Sequence, residues 1–156
     1  MRGISAELQI KQATSEGAIR LVAPLFDQYR VFYQQSSDLE ASYKFLYDRW
    51  VARESTLFVA TDRNKAVGFV HLYPMFLSDV MKRFWILNDL YVIEAARRDG
   101  VGRALIQEAE RFARETGSGG LNLSTAADNV RAQLLYESEG YVRDLGFIYY
   151  NKFLNG

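Results

Sequence analysis

The sequence predicts an α+β fold: a mixed, mostly antiparallel sheet flanked by about four helices. Three observations lead there. Stretches of alternating apolar and polar residues recur along the chain, as half-buried strands require. Two segments in the N-terminal third place apolar residues every three or four positions, which is helical spacing. One strand–helix–strand unit, Arg83–Ile93, Gly102–Thr116 and Leu121–Thr125, demands a parallel pair within an otherwise antiparallel order.

The first strand is expected over Ile4–Gln12, where Ile4, Ala6, Leu8 and Ile10 alternate with polar neighbours. A helix over Glu16–Gln34 follows from Ile19, Val22, Phe26, Tyr29 and Tyr33, and a second over Asp38–Ala52 from Leu39, Tyr43, Leu46 and Trp50. Thr56–Thr61, Ala66–Tyr73 and Arg83–Ile93 are the next strands, the first two joined by the polar turn Asp62-Arg63-Asn64-Lys65. The helix over Gly102–Thr116 is stopped by Gly117 and followed by the strand Leu121–Thr125. A helix over Asn129–Glu139 ends at Gly140, and Tyr141–Leu154 supplies one or two final strands. With 156 residues, 49% of them apolar, the chain suits one domain over 4–154 and is too apolar for disorder.

Composition narrows the function classes. Nineteen basic and nineteen acidic residues balance, so no overall field draws the chain to nucleic acid or an anionic membrane. The absence of cysteine excludes disulfides, thiolate metal sites and an acyl-cysteine intermediate. No apolar segment follows Met1-Arg2-Gly3-Ile4-Ser5 and no run is long enough to span a bilayer, so the expected location is the cytoplasm.

The chemistry concentrates between Trp85 and Leu105. An apolar strand, Trp85-Ile86-Leu87-Asn88-Asp89-Leu90-Tyr91-Val92, leads through Ile93–Ala96 into Arg97-Arg98-Asp99-Gly100-Val101-Gly102-Arg103 and then a helix. A helix start offers unpaired N–H groups and the positive end of the dipole, which suit phosphate. Gly100 and Gly102 allow close backbone approach, and Arg97, Arg98 and Arg103 add positive charge. A Walker loop would need Gly-Lys-Ser/Thr, and a dinucleotide fingerprint a glycine where Leu105 stands. What remains, Arg-x-x-Gly-x-Gly, also suits a purely structural helix start.

The turn resembles the cofactor motif Gln/Arg-x-x-Gly-x-Gly/Ala of the general N-acetyltransferase (GNAT) superfamily. Downstream, Asn129-Val130-Arg131-Ala132-Gln133-Leu134-Leu135-Tyr136 and Gly140-Tyr141 resemble that family's Asn…Ala…Leu-Tyr…Gly-Phe/Tyr signature. Asn129 and Tyr136 lie on one helical stripe, about 10 Å apart along the axis. Element order matches over Ile4–Leu154, and the specific part runs from Leu87 to Tyr141.

The resemblance implies acetyl-CoA as acyl donor, no metal, and a primary amine as acceptor. Its diphosphate would lie on the amides of Arg97, Arg98, Gly100, Val101, Gly102 and Arg103, and Asn129 would bond the pantetheine arm. The strand before the turn splays from its parallel neighbour, so the arm would add to the edge at Leu90, Tyr91 and Val92, with an N–H near Tyr91 polarising the thioester carbonyl. Tyr136 would protonate the departing thiolate. The amine attacks directly and needs a proton acceptor, because an alkylammonium has a pKa of about 10. Asp89, a carboxylate within an apolar strand, is the candidate base. Its structural alternative is a pair with Arg83 or Arg98, while Asn88 either holds the amine or occupies a bulge. His71, the sole histidine, reads as packed or at the surface rather than catalytic.

For the acceptor, Asp27, Tyr29 and Tyr33 combine negative charge with rings, which suits an ammonium, and Tyr73-Pro74-Met75-Phe76-Leu77 supplies an apolar rim including Tyr73. The bland alternative makes these rings core and Asp27–Arg30 a solvated pair. The overall pattern, including Leu87-Asn88-Asp89-Leu90-Tyr91-Val92 and Leu123-Ser124-Thr125-Ala126, resembles the Hpa-type branch, which leaves polyamine, protein lysine and small-molecule amine open. A homodimer could pair through the C-terminal strands or the Met75–Met81 loop. The rival reading is a noncatalytic acyl-CoA sensor of the same fold.

Overall fold

Ser15 and Asp38 start the two N-terminal helices. In the computed structural model, which describes residues 3–155, Ser15 Oγ accepts from Ala18 N at 3.1 Å and Asp38 Oδ1 from Ala41 N at 3.0 Å. Each cap satisfies an amide that the helix leaves unpaired and stabilises by about 1 kcal/mol. Helix α1 runs over Glu16–Phe32 and α2 over Leu39–Val51, after β1 at Leu8–Gln12. The next three strands, β2 (Thr56–Asp62), β3 (Lys65–Leu77) and β4 (Lys82–Val92), form an antiparallel meander. A 3-10 turn at Glu94–Ala96 leads into α3 (Val101–Glu115), then β5 (Leu121–Asn122) and α4 (Val130–Ser138).

The sheet order is β1-β2-β3-β4-β5, antiparallel throughout except for β4–β5. One face packs on α1 and α2: Ile19, Val22, Phe26 and Leu46 meet Leu57, Val59 and Phe69 in a continuous core. The opposite face takes α3, where Phe112 packs on Phe58 and Trp85 at ring separations of 5.4 and 5.2 Å. Gly68 permits that approach, since a Cβ there would meet Tyr91 O at 2.9 Å and Leu105 Cδ1 at 3.2 Å.

Most expected elements fall within a few residues of their observed bounds. β1 is shorter, beginning at Leu8, and β3 is longer. The segment Tyr73–Leu77, expected as a loop-like rim, continues β3 as half of a long hairpin, with Pro74 in register with Trp85.

The chain divides into two compact units, Met1–Ser124 and Thr125–Gly156. Within the second, α4 is followed by no strand among the described residues, which corrects the expectation for Tyr141–Leu154. Val142, Leu145, Phe147, Ile148, Tyr149, Tyr150, Phe153 and Leu154 are exposed there. Apolar spacing creates the tendency to form a strand, but a ladder exists only where a neighbour offers its own N–H and C=O groups.

Asp27 shows how α1 and α2 are joined. Its carboxylate accepts from Ser37 Oγ at 2.6 Å, Asp38 N at 2.7 Å and Ser42 Oγ at 3.2 Å, with Arg30 Nη1 at 3.6 Å. The Ser37 hydrogen bond, ahead of the opposing effect of burial and the further bonds from Asp38 and Ser42, holds its pKa below the ordinary 3.8. A carboxylate depressed in the folded state stabilises above its unfolded pKa and loses that contribution as pH falls through the folded value. Asp27→Asn should therefore destabilise by about 2 kcal/mol at neutral pH. The gap to wild type should close below pH 3.8, and urea unfolding at several pH values would read both effects.

Candidate active site

A bulge in β4 sets up the site. His71 pairs with Asp89, but the next residue of β3, Leu72, pairs with Leu87, so Asn88 is the extra residue. Such an insertion reverses which face the following side chains take. Before it, Trp85 packs towards α3, with Nε1 donating to Thr116 Oγ1 at 2.9 Å. After it, Asp89 and Tyr91 face α1. Without the bulge, Asp89 would share Trp85's face, so the bulge alternative for Asn88 is the one observed.

Asp89 is buried at 5% exposure, and His71 at 0%. His71 Nδ1 lies 2.9 Å from Asp89 Oδ2, and Asn88 Nδ2 donates to Asp89 Oδ1 at 3.1 Å. The expected partner, Arg83 or Arg98, is not found at this carboxylate: Arg83 lies over the rings of Phe76 and Trp85, and Arg98 is exposed in the turn after β4. His71 is packed, as its apolar surroundings suggest, but it is packed against the one carboxylate of the strand. The Phe26 ring stands 6.3 Å from it and the Tyr73 ring 4.8 Å.

Rings wall this pair. Tyr29 stacks edge-on with Tyr33 at 4.9 Å and approaches Tyr91 at 6.3 Å. Burial first, then the Asp89 charge and its hydrogen bond, push the Tyr29 phenol well above the usual range. Burial, with Asp89 second, pushes Tyr73 up to about 12. Both phenols therefore stay neutral at physiological pH and present hydroxyls beside a carboxylate. Asp27, by contrast, has its oxygens committed to the α1–α2 junction and is a structural acid.

The other half of the site lies where β4 parts from β5. The parallel pairing covers only Trp85–Leu121 and Ile86–Asn122, and β4 continues six residues further, through Leu90, Tyr91 and Val92, without β5 beside it. The Arg97 side chain folds back on this stretch: Nε donates to Val92 O at 2.8 Å and the guanidinium lies 5.6 Å over the Tyr91 ring. Arg98 (φ 69°) and Gly100 (φ 85°) both adopt the left-handed conformation. At Gly100 a Cβ would also strike Ile4 Cγ1 at 2.8 Å, so glycine is needed on two counts. The α3 N-terminus has no side-chain cap and no acidic residue in its first turn, and Val101 is buried, leaving its backbone as what it can offer a ligand. Amides of Val101 and Gly102 at this helix start fit a phosphate ester.

In the second unit Asn129 caps α4, its Oδ1 accepting from Ala132 N at 3.2 Å. Tyr136 lies in the last turns of α4, its ring 6.0 Å from that of Tyr141.

A strand edge left open beyond a short parallel pair thus continues into a left-handed glycine turn and the start of α3. The chain belongs to the acetyltransferase (GNAT) family, whose pattern matches residues 22–141. It is 43% identical over 143 residues to an uncharacterized N-acetyltransferase of Bacillus subtilis, YhfO, covering 92% of this chain and 95% of that protein. A solved structure of a probable acetyltransferase superposes with a TM-score of 0.88 at 43% identity, over 95% of this chain and 99% of the other. A partial relative, the D-amino-acid N-acetyltransferase HPA3 of Saccharomyces cerevisiae, is 39% identical over 84 residues, 54% of this chain and 52% of its own length. This short match is what supports the Hpa-type resemblance. The chain is therefore an acetyltransferase. Among the described residues, no helix is long and apolar enough to cross a membrane, and no cluster of three His, Asp or Glu side chains could hold a metal ion.

Proposed function

We propose that this protein transfers the acetyl group of acetyl-CoA to a primary amine, with residues 4–154 working as one domain. The family pattern crosses the boundary between the two compact units, which supports a joint role for them. The observation that carries the reading is Asp89: a buried carboxylate, turned by a bulge to the ring-lined face of β4, one residue before the edge left open at Leu90–Val92.

The thioester supplies an activated acyl carbon. The first-turn amides of α3 hold the phosphates, the open edge of β4 aligns the pantetheine arm, and the N–H near Tyr91 faces the carbonyl oxygen. Asn129 bonds the arm. Asp89 takes one proton from the bound ammonium, freeing the nitrogen lone pair for attack. As the C–N bond forms and the C–S bond breaks, Tyr136 gives its proton to sulfur and recovers one from nitrogen. The balance is one acetamide, one thiol and one proton released to solvent.

Tyr29, Tyr33, Tyr73 and Asn88 line the acceptor side. With Asp27 committed to helix packing, Asp89 is the one carboxylate among these groups, which favours an acceptor bearing a single ammonium over a polyamine. The yeast relative, named for D-amino acids, points to small-molecule amines as well. The reading places the reaction in the cytoplasm, and the exposed apolar residues at 142–154 are the surface through which a homodimer would form.

Thiol release from acetyl-CoA, measured across amino acids of both hands, simple alkylamines, polyamines and a lysine peptide, tests the proposal. Turnover is expected with monoamines and weak or absent with polyamines. Tight acetyl-CoA binding by calorimetry without turnover on any amine would instead establish a sensor.

A further inference from the structure

His71 is fully buried, and its Nε2 has no hydrogen-bond partner. Leucine or phenylalanine would fill the same volume without leaving a polar atom unpaired, so packing alone gives no reason for an imidazole here. Its other nitrogen supplies one. Asp89 Oδ1 already accepts from Asn88, so the carboxylate is an acceptor and His71 Nδ1 donates to Oδ2. With the proton on Nε2 instead, an unpaired N–H would face the core and two lone pairs would meet at 2.9 Å. The imidazole is thus held as the Nδ1–H tautomer, with an acceptor atom turned into the rings of α1 and β3.

We propose that His71 is a positioning residue for the transfer reaction, fixing the Asp89 carboxylate with one oxygen oriented to receive the acceptor's proton. This rests on Asp89 being the base. The arrangement explains why the bulge places Asp89 directly in register with His71: a carboxylate on a strand has two free torsions, and Asn88 from its own strand and His71 from the neighbouring one hold its two oxygens from two directions, beside the Tyr29 hydroxyl. The groups facing the pair are Tyr29 from α1 and Tyr73 from β3; behind them, Tyr33 at the end of α1 acts on Tyr29, and Arg49 from α2 acts on Tyr73 while its Nε is paired with Glu54 at 2.9 Å. Tyr29 and Tyr73 are held neutral across the working range, so the proton moves between acceptor and carboxylate without competition from these phenols.

His71→Leu should lower kcat with an alkylamine at pH 7 by about 30-fold and leave KM for acetyl-CoA unchanged. The loss should shrink as pH rises towards the amine's own pKa of about 10, because a neutral amine needs no base. His71→Asn, whose amide N–H can stand where Nδ1–H stands, should recover most of the rate. A loss that stays constant with pH, or an Asn variant no better than Leu when both melt like wild type, would show that His71 only fills space. If His71→Leu does not fold, His71→Gln decides, since its amide reaches the Nε2 position instead: it should show the pH-dependent loss, and a wild-type profile would overturn the inference. Asp89→Asn separates the two claims. An unimpaired Asp89→Asn removes the base, whereas an impaired Asp89→Asn beside a wild-type His71→Leu removes the role of His71 alone.

Discussion

Asp89→Asn should lower kcat/KM for an alkylamine at pH 7 by about 10²–10³-fold. The bound comes from the acceptor. With a pKa of about 10, roughly one alkylamine in a thousand is neutral at pH 7. A base can at most make the other molecules competent, so its removal costs up to that factor, and the cost falls about tenfold for each pH unit towards 10. Asparagine preserves the shape, and its Oδ1 can still accept from His71, so acetyl-CoA affinity and the thermal midpoint should stay near wild type. The measurement is initial rate against pH for both proteins. Parallel profiles, with the ratio constant from about pH 6 to 9, would reduce Asp89 to a buried structural acid and remove the base from the mechanism.

Why the carboxylate could be found in the sequence, while its partner could not, is a question of register. A charged residue between Asn88 and Leu90 in an apolar strand is visible as an anomaly, and burial demands a partner for it. Arginine is the partner charge suggests. The actual one, His71, lies 18 positions away and is opposite Asp89 because of where the β3–β4 hairpin places its turn and its bulge. Sequence periodicity identifies strands but does not fix pairing to within one residue, and one residue changes the face.

The same distinction separates the rest. Helices α1, α2 and α3 were legible because caps and spacing are local: Ser15, Asp38 and the glycine turn lie within a few residues of what they start. Asp27 was legible as an acid beside tyrosines, but its work comes from Ser37, Asp38 and Ser42, which approach it through the α1–α2 turn. The strands expected at Tyr141–Leu154 rest on apolar spacing alone, and among the described residues the segment has no ladder. Local chemistry is written in order along the chain. Pairing is not.

Tyr136→Phe should lower kcat by about 10–100-fold and leave acetyl-CoA affinity nearly unchanged. The expected loss is smaller than at Asp89 because the leaving group is less demanding. A thiol resembling free cysteine has a pKa of about 8.5, so at pH 7 protonation assists its departure by about 1.5 pH units, or about 2 kcal/mol. Phenylalanine keeps the ring that lies 6.0 Å from Tyr141 and removes only the hydroxyl, so α4 should remain folded. The two variants then differ in their pH dependence. The Tyr136→Phe loss should fade above about pH 8.5, where the thiolate leaves unaided, whereas the Asp89→Asn loss persists until the amine itself is neutral near pH 10. They differ in their substrate dependence too: a more acidic thiol in place of coenzyme A should rescue Tyr136→Phe and not Asp89→Asn, and a weakly basic amine the reverse. Unchanged turnover in Tyr136→Phe, or rescue of both variants by the same substrate, would overturn the proposal that Tyr136 and Asp89 act as separate acid and base.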